Sequence, residues 1–266
     1  MEVHKLTATK RVVVIGSGAI GRPVAERLAQ GAIDGFDLLG VLVRPASVSR
    51  VPGGQALDNL AAALELRPDL VVEAAGVEAF RQYVPDCLAA GVDVLAVSLA
   101  AMAEPMVERA VAAATAAGGG RLLVASGAIG ALEAVSAARE AGLLAVTLVQ
   151  RKPPRAFPGL TLSPDGETVV SAGSARDAAL AFPRNANISA AIALAGIGFD
   201  ATRVSVVADP RVDANIAELE ASGDFGVLRL TIRNRPSDLN PSTARLAALS
   251  VVAALRRRAA PIIVPA

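Results

Sequence analysis

"VVVIGSGAIGRPVAERL", residues 12–28, decides the architecture of this 266-residue chain. It opens as a continuous run of β-branched residues, the pattern of a strand covered on both faces. It then passes through Gly16, Gly18 and Gly21 and continues with apolar residues at helical spacing until Gly31. The G-x-G-x-x-G spacing alone is a weak signal. With a strand before it and a helix after it, it marks a dinucleotide-binding turn. Gly16 permits the tight turn, Gly18 lets the backbone approach a pyrophosphate, and Gly21 allows close packing of helix on strand. Ala19 and Ile20 complete the expected cofactor loop. The pyrophosphate would lie on the helix N-terminus, where unpaired N–H groups and the dipole favour an anion.

Downstream, strand-like "DLLGVLVR" (37–44), "DLVVEAAG" (69–76), "VDVLAVS" (92–98) and "RLLVAS" (121–126) alternate with helical stretches. The helices are expected within 56–68, ended by Pro68, around 78–90 and around 103–117. Such alternation predicts parallel, right-handed βαβ units. After a helix near 131–141 the texture changes. "AVTLVQRK" (145–152), "FPGLTLS" (157–163) and "ETVVSAG" (167–173) are strand-like and closely spaced, with Pro164-Asp165-Gly166 as a turn signal. "RDAALAF" and "ISAAIALAGIG" read as helices, "RVSVVAD" as a strand, "ANIAELEAS" (214–222) as a helix and "VLRLTIRN" as a strand. "NPSTARLAALSVVAALRRR" (240–258) reads as one last helix capped by Asn240 or Ser242. The expected fold is α/β: a Rossmann dinucleotide-binding domain over 1–120, then an α/β domain with a mixed sheet over 121–239. The helical segment 240–266 is expected to return to the first domain.

Composition narrows the function. Aromatic residues make up 3% and the net charge is +1, which offers neither a base-stacking surface nor a polyanion-binding field. Arg256-Arg257-Arg258 reads as a solvated helix end. Neither a nucleic-acid nor a membrane partner is expected, since no apolar run reaches spanning length uninterrupted. The N-terminal stretch lacks the apolar core of a signal peptide, and a cytoplasmic location is the expectation. The single cysteine, Cys87, excludes an intramolecular disulfide and a cysteine-based zinc cluster, and no metal is expected. The single histidine is His4.

The choice of dinucleotide turns on the end of the second strand. An acidic residue there would bind the ribose 2′-hydroxyl of NAD. Arg44 stands there instead, followed by Ser47, Ser49 and Arg50. A guanidinium with nearby hydroxyls suits a 2′-phosphate, so NADP is the expected cofactor, with NAD possible. The alternative is an Arg44 that stacks on adenine or faces solvent. Glu73, Ala75 and Gly76 end the third strand beside the expected cofactor site. Ala75 and Gly76 are assigned to cofactor contacts, while Glu73 reads as a structural carboxylate or a site group.

Several segments together resemble the L-aspartate dehydrogenases. These are "ASGAIGALEA" (125–134), "RKPP" (151–154), "GSARDAALAFPRNANISAAIALAGIGFDAT" (173–202), "ADP....N" (208–215), "GDFG" (223–226) and "NPSTARLAALS" (240–250). The resemblance spans nearly the whole chain and implies a Rossmann domain followed by an α/β domain that carries the substrate site and the oligomer interface, here of a homodimer. It implies reversible NAD(P)-dependent oxidation of L-aspartate to iminosuccinate, which hydrolyses to oxaloacetate and ammonia. It places Ala128 and Asn187 at cofactor-contacting positions; Asn187 alternatively caps the following helix. Lys152 matches a family lysine and is read as a carboxylate-binding or proton-transferring residue, or else a surface lysine. Arg151 rivals it on charge alone. Asn215 either orients substrate or water or stabilises a turn.

Departures from the family pattern gather in the substrate half. The family's catalytic histidine falls at Ala217, two residues after Asn215. "NPKTS" reads "NPSTA", "SVGAL" reads "SLAAM" at 98–102, and "GGLD" reads "GALE" with Glu133 in place of Asp. Glu218 and Asp209 are nearby carboxylates that could replace the missing base; the alternatives, which the pattern favours, are a solvated Glu218 and an Asp209 that caps the turn before Pro210. A positioned base contributes about 10²–10⁴-fold to such a reaction, so a site without histidine retains what orientation supplies. Three readings follow: an aspartate dehydrogenase or related imine reductase, a dehydrogenase for another small amine, imine or carbonyl compound, and a non-catalytic cofactor-binding homologue.

Overall fold

The computed structural model describes residues 9–53, 55–183 and 186–264. His4 and the Arg50 side chain lie outside the described atoms. The chain divides into two compact units, the first made of residues 1–98, 106–125 and 248–266 and the second of 99–105 and 126–247.

The first unit holds β1 (Lys10–Ile15), α1 (Gly21–Ala29), β2 (Phe36–Leu42), β3 (Gln55–Leu57), α2 (Leu60–Glu65), β4 (Leu70–Glu73), α3 (Val77–Ala89), β5 (Asp93–Ala96), α4 (Pro105–Gly118) and β6 (Leu122–Val124). All six strands run parallel in the order β3-β2-β1-β4-β5-β6. This is the doubly wound Rossmann order, whose direction reverses between β1 and β4. Val12, Val13 and Val14 are fully buried, as a strand covered on both faces requires. The helix expected over 56–68 shortens to α2, because Asn59 Oδ1 accepts the Ala62 N–H at 2.8 Å and starts the helix there. The residues before it pair as β3.

The second unit holds α5 (Leu132–Glu140), β7 (Leu143–Lys152), β8 (Thr168–Ser174), α6 (Ala175–Ala181), α7 (Asn187–Ala195), β9 (Arg203–Ala208), β10 (Asn215–Gly223), β11 (Gly226–Asn234), β12 (Pro236–Ser237) and β13 (Asn240–Ala244). Its main sheet runs β11-β10-β7-β9-β8 and is mixed: β7 and β9 are parallel, the other pairs antiparallel. α8 (Arg245–Ala259) closes the chain. Val251, Val252, Ala254 and Leu255 of α8 join Val12, Val14, Leu70 and Leu95 in the core of the first unit.

Three local expectations are corrected. "ANIAELEAS" is the strand β10, not a helix. Ala217, Leu219 and Ala221 are buried at every second position, and this period of two overrides the helical propensity of Ala, Glu and Leu. "FPGLTLS" forms no strand: Pro158 and Gly159 (φ +85°) break the run, while Phe157 and Leu162 instead pack on Val206 and Ala208. The last helix begins at Arg245 rather than near 240. Asn240 Oδ1 accepts the Ser242 N–H at 3.0 Å, closing a turn inside β13 instead of capping a helix.

The arginine run is not simply a solvated end. Arg258 pairs with Asp93 at 3.1 Å, and Arg256 donates to the Ala32 carbonyl. Cys87 is fully buried, and desolvation pushes its thiol up to about 12, which leaves it unreactive. Among the described residues no helix is long and apolar enough to cross a membrane. No group of three or more His, Cys, Asp or Glu among them is arranged to hold a metal.

Candidate active site

In the first unit the glycine loop leaves β1 and enters α1. Gly16 has φ +102°, and a Cβ there would lie 2.8 Å from the Ala74 carbonyl oxygen. A Cβ on Gly21 would lie 2.0 Å from the Gly16 carbonyl oxygen, a collision with backbone. A Cβ on Gly18 would meet nothing within 4 Å, so that side of the loop is open. The helix behind it has no side-chain cap and no acidic residue in its first turn. An open backbone approach at an uncapped, anion-favouring helix start fits a pyrophosphate. Arg44, exposed, follows β2 and opens a short 3-10 turn containing Ser47 and Ser49, and no described carboxylate pairs with it. Those are the donors a 2′-phosphate would need.

At the end of β4, Glu73 is fully buried and holds Ala75 and Gly76 by their N–H groups, at 2.8 and 3.1 Å. These are the residues assigned to the cofactor, and Gly76 (φ +104°) starts α3.

The second unit gathers the other candidates on one face of its sheet. Side chains alternate along a strand, and residues opposite each other on neighbouring strands share a face. Ala217 of β10 lies opposite Gln150 of β7 and Ile232 of β11, and Asn215 lies opposite Asn234. The register Ile216–Arg151 brings Asn215 level with Lys152. Lys152, Gln150, Asn215, Ala217 and Asn234 therefore share a face. Lys152 is only 8% exposed, and burial depresses its ammonium pKa from 10.5 to about 8. That value suits proton transfer near neutral pH and discards the surface-lysine reading.

The same alternation removes two candidates, and an ion pair removes a third. Glu218, next to Ala217, faces the opposite side and accepts from Arg151 Nε at 2.9 Å. Arg151 shares that side and also pairs with Glu167 at 2.7 Å, so it does not rival Lys152. Asp209 is buried; it accepts the Arg211 backbone N–H at 2.9 Å and pairs with the Arg211 guanidinium, whose hydrogen bonds hold its carboxyl below the usual range. Neither carboxylate stands in for a histidine at 217.

Asn187 is the first residue of α7, not its cap. Its Oδ1 accepts the Ala100 N–H at 3.0 Å, and Ala100 lies in the short 3-10 turn Leu99–Ala103. Ala128 is buried, and its carbonyl accepts the Asn234 side-chain amide at 3.1 Å. Sequence reasoning missed Asn234, which ties the 126–131 loop to the sheet, and Gln150, whose amide reaches Ser189 Oγ at 3.3 Å. A signal existed in both: a polar residue at an inward position of an alternating strand.

The "GALE" departure has a backbone consequence. Ala131 adopts φ +57°. A left-handed non-glycine residue costs about 1 kcal/mol. Ala131→Gly is expected to raise the unfolding free energy by about that amount, read from denaturant titration.

A glycine loop open to an anion, at the start of a helix on a doubly wound parallel sheet, defines a Rossmann nucleotide-binding unit. The family description "Aspartate dehydrogenase, C-terminal" matches residues 133–258, and "Homoserine dehydrogenase, NAD binding domain" matches residues 16–125. The L-aspartate dehydrogenase of Ralstonia nicotianae is 41% identical, covering 93% of this chain and 97% of that one. That of Ruegeria pomeroyi is 42% identical over 95% and 94%. The crystal structure of aspartate dehydrogenase from Thermotoga maritima superposes with a TM-score of 0.79 at 29% identity, covering 96% and 98%. The chain belongs to the L-aspartate dehydrogenase family.

Proposed function

We propose that this protein is an NADP-preferring L-aspartate dehydrogenase, converting L-aspartate to iminosuccinate and, in reverse, reducing the imine formed from oxaloacetate and ammonia. Family membership over 93% of the chain carries the reading, and the open glycine loop supports it in the structure. The bound dinucleotide supplies the hydride acceptor. In the first unit Gly16, Gly18, Ala19, Ile20 and Gly21 would hold its pyrophosphate, Arg44 its 2′-phosphate, and Ala75 and Gly76 the nicotinamide end; in the second unit Ala128 and Asn187 are the residues that the family resemblance assigns to the cofactor. Lys152 is the proposed proton acceptor in oxidation and donor in reduction, with Asn215 orienting the substrate. A homodimer in the cytoplasm completes the reading and rests on the family alone.

The test is direct. Purified protein with L-aspartate and either NADP⁺ or NAD⁺ should generate reduced cofactor, faster with NADP⁺. With NADPH, ammonia and a panel of oxo acids, oxaloacetate should be consumed fastest. No turnover with any substrate, despite measurable cofactor binding, would favour the non-catalytic homologue.

Ala217 favours a second reading, in which the pocket serves an imine or another small amine. It is 2% exposed and packed opposite Gln150, where a family enzyme would carry its histidine. Ala217→His is expected to raise aspartate oxidation about tenfold, the lower range of a positioned base. It should also lower stability by about 1–3 kcal/mol through overpacking. Unchanged or lower aspartate activity in a folded variant would mean the pocket is built for another substrate.

A further inference from the structure

The first unit contains a buried carboxylate that the proposed chemistry leaves unused. Glu73 ends β4 and is paired across the sheet with Ile15, the last residue of β1, and with Ala96 of β5. The strand order reverses between β1 and β4, and in doubly wound sheets ligands bind beyond the strand C-termini at that point. The chain following Glu73 touches the glycine loop, since Ala74 O and Ala75 Cβ bound the space beside Gly16.

Every partner of Glu73 donates. Oε1 accepts the Ala75 N–H at 2.8 Å, the Gly76 N–H at 3.1 Å and the Ser98 hydroxyl at 2.8 Å, while Oε2 accepts the Ser98 N–H at 3.1 Å. Ser98 Oγ in turn accepts the Gly76 N–H at 3.0 Å. Three fixed N–H donors match a carboxylate, which only accepts, better than a carboxylic acid, which must place its own proton. Burial raises the Glu73 carboxyl above the usual carboxylate range, and the hydrogen bonds from Ala75, Ser98 and Gly76 oppose that rise and favour the anion. Among the described residues no lysine or arginine pairs with it, so the anion is held by dipoles alone.

Such a construction is costly for mere loop support, which a neutral amide or hydroxyl could provide. We propose that Glu73 positions the nicotinamide end of the dinucleotide through Ala75, Gly76 and Ser98, and that its negative charge favours the oxidised, cationic ring over the neutral reduced one. The inference rests on the cofactor reading above and is independent of the substrate.

Titration calorimetry of NADP⁺ and NADPH, or of NAD⁺ and NADH if that pair binds more tightly, tests it. Glu73→Gln is expected to weaken the oxidised form about tenfold more than the reduced form, the scale of one charge interaction across partly screened protein. Equal weakening of both forms, or none, would assign Glu73 to loop support and overturn the proposal. Glu73→Asp keeps the anion and should lower both affinities with their ratio within about threefold of wild type. A ratio shifted tenfold in that variant overturns the proposal as well, and decides the matter if the Gln variant fails to fold. Wild-type protein that binds neither form would instead refute the cofactor reading itself.

Discussion

Replacing Lys152 by Met should lower kcat/KM for aspartate oxidation by about 10²–10³-fold, within the range of a general base removed from a positioned site. Met keeps most of the side-chain volume on the buried face of β7 and removes only the amine. Burial depresses the lysine from 10.5 to about 8. The sign is that of a cationic group with a lowered folded-state value. Below pH 8 the folded state carries the desolvated charge at full cost, and that cost fades as pH rises from about 8 to 10.5. Oxidation needs the neutral amine, so kcat/KM of the wild type should rise with pH and level off above about pH 8. Reduction needs the protonated form and should fall over the same range. In the Met variant both limbs should flatten. A pH profile unchanged by the substitution would remove Lys152 from proton transfer and leave it as a carboxylate-binding cation.

Gly21→Ala should abolish cofactor binding, with affinity reduced at least about 100-fold and stability lowered by about 3 kcal/mol. The new methyl would lie 2.0 Å from the Gly16 carbonyl oxygen, and neither backbone segment has a side-chain torsion to relieve the contact. The start of α1 would have to slide off β1, carrying the anion-binding N–H groups with it. Gly18→Ala is the matched comparison. Its Cβ meets no protein atom, so thermal unfolding should be unchanged while cofactor affinity falls, because only the approaching pyrophosphate feels the methyl. Equal stability losses in the two variants would show that both glycines serve folding rather than the ligand.

Much of this was legible in the residues. A β-branched run, three glycines at fixed spacing and an amphipathic helix are local features, each with one physical solution, and they predict the Rossmann half correctly. The mixed build of the second half also follows from closely spaced strands. Local reasoning failed where two periodicities competed. "ANIAELEAS" has helix-forming residues in a strand pattern, and only pairing with β7 and β11 selects the strand. At 240–244 the residues read as the capped start of a helix were taken by a short antiparallel pairing with Pro236 and Ser237.

For the site, the chain on its own made the glycine loop legible as a candidate anion site, because that is a property of a short segment. Tertiary structure decided which charged groups share a face. Strand alternation sends Lys152 and Asn215 to one side and Arg151 and Glu218 to the other, although Lys152 adjoins Arg151 in sequence and Asn215 lies only three residues from Glu218. It also decided the surroundings of Glu73: a carboxyl group met only by donors is created by β4 and β5 lying side by side, with Ser98 25 residues away in sequence. Sequence lists the ionisable groups, but burial and register, which arise only when distant strands pair, set their charges and their partners.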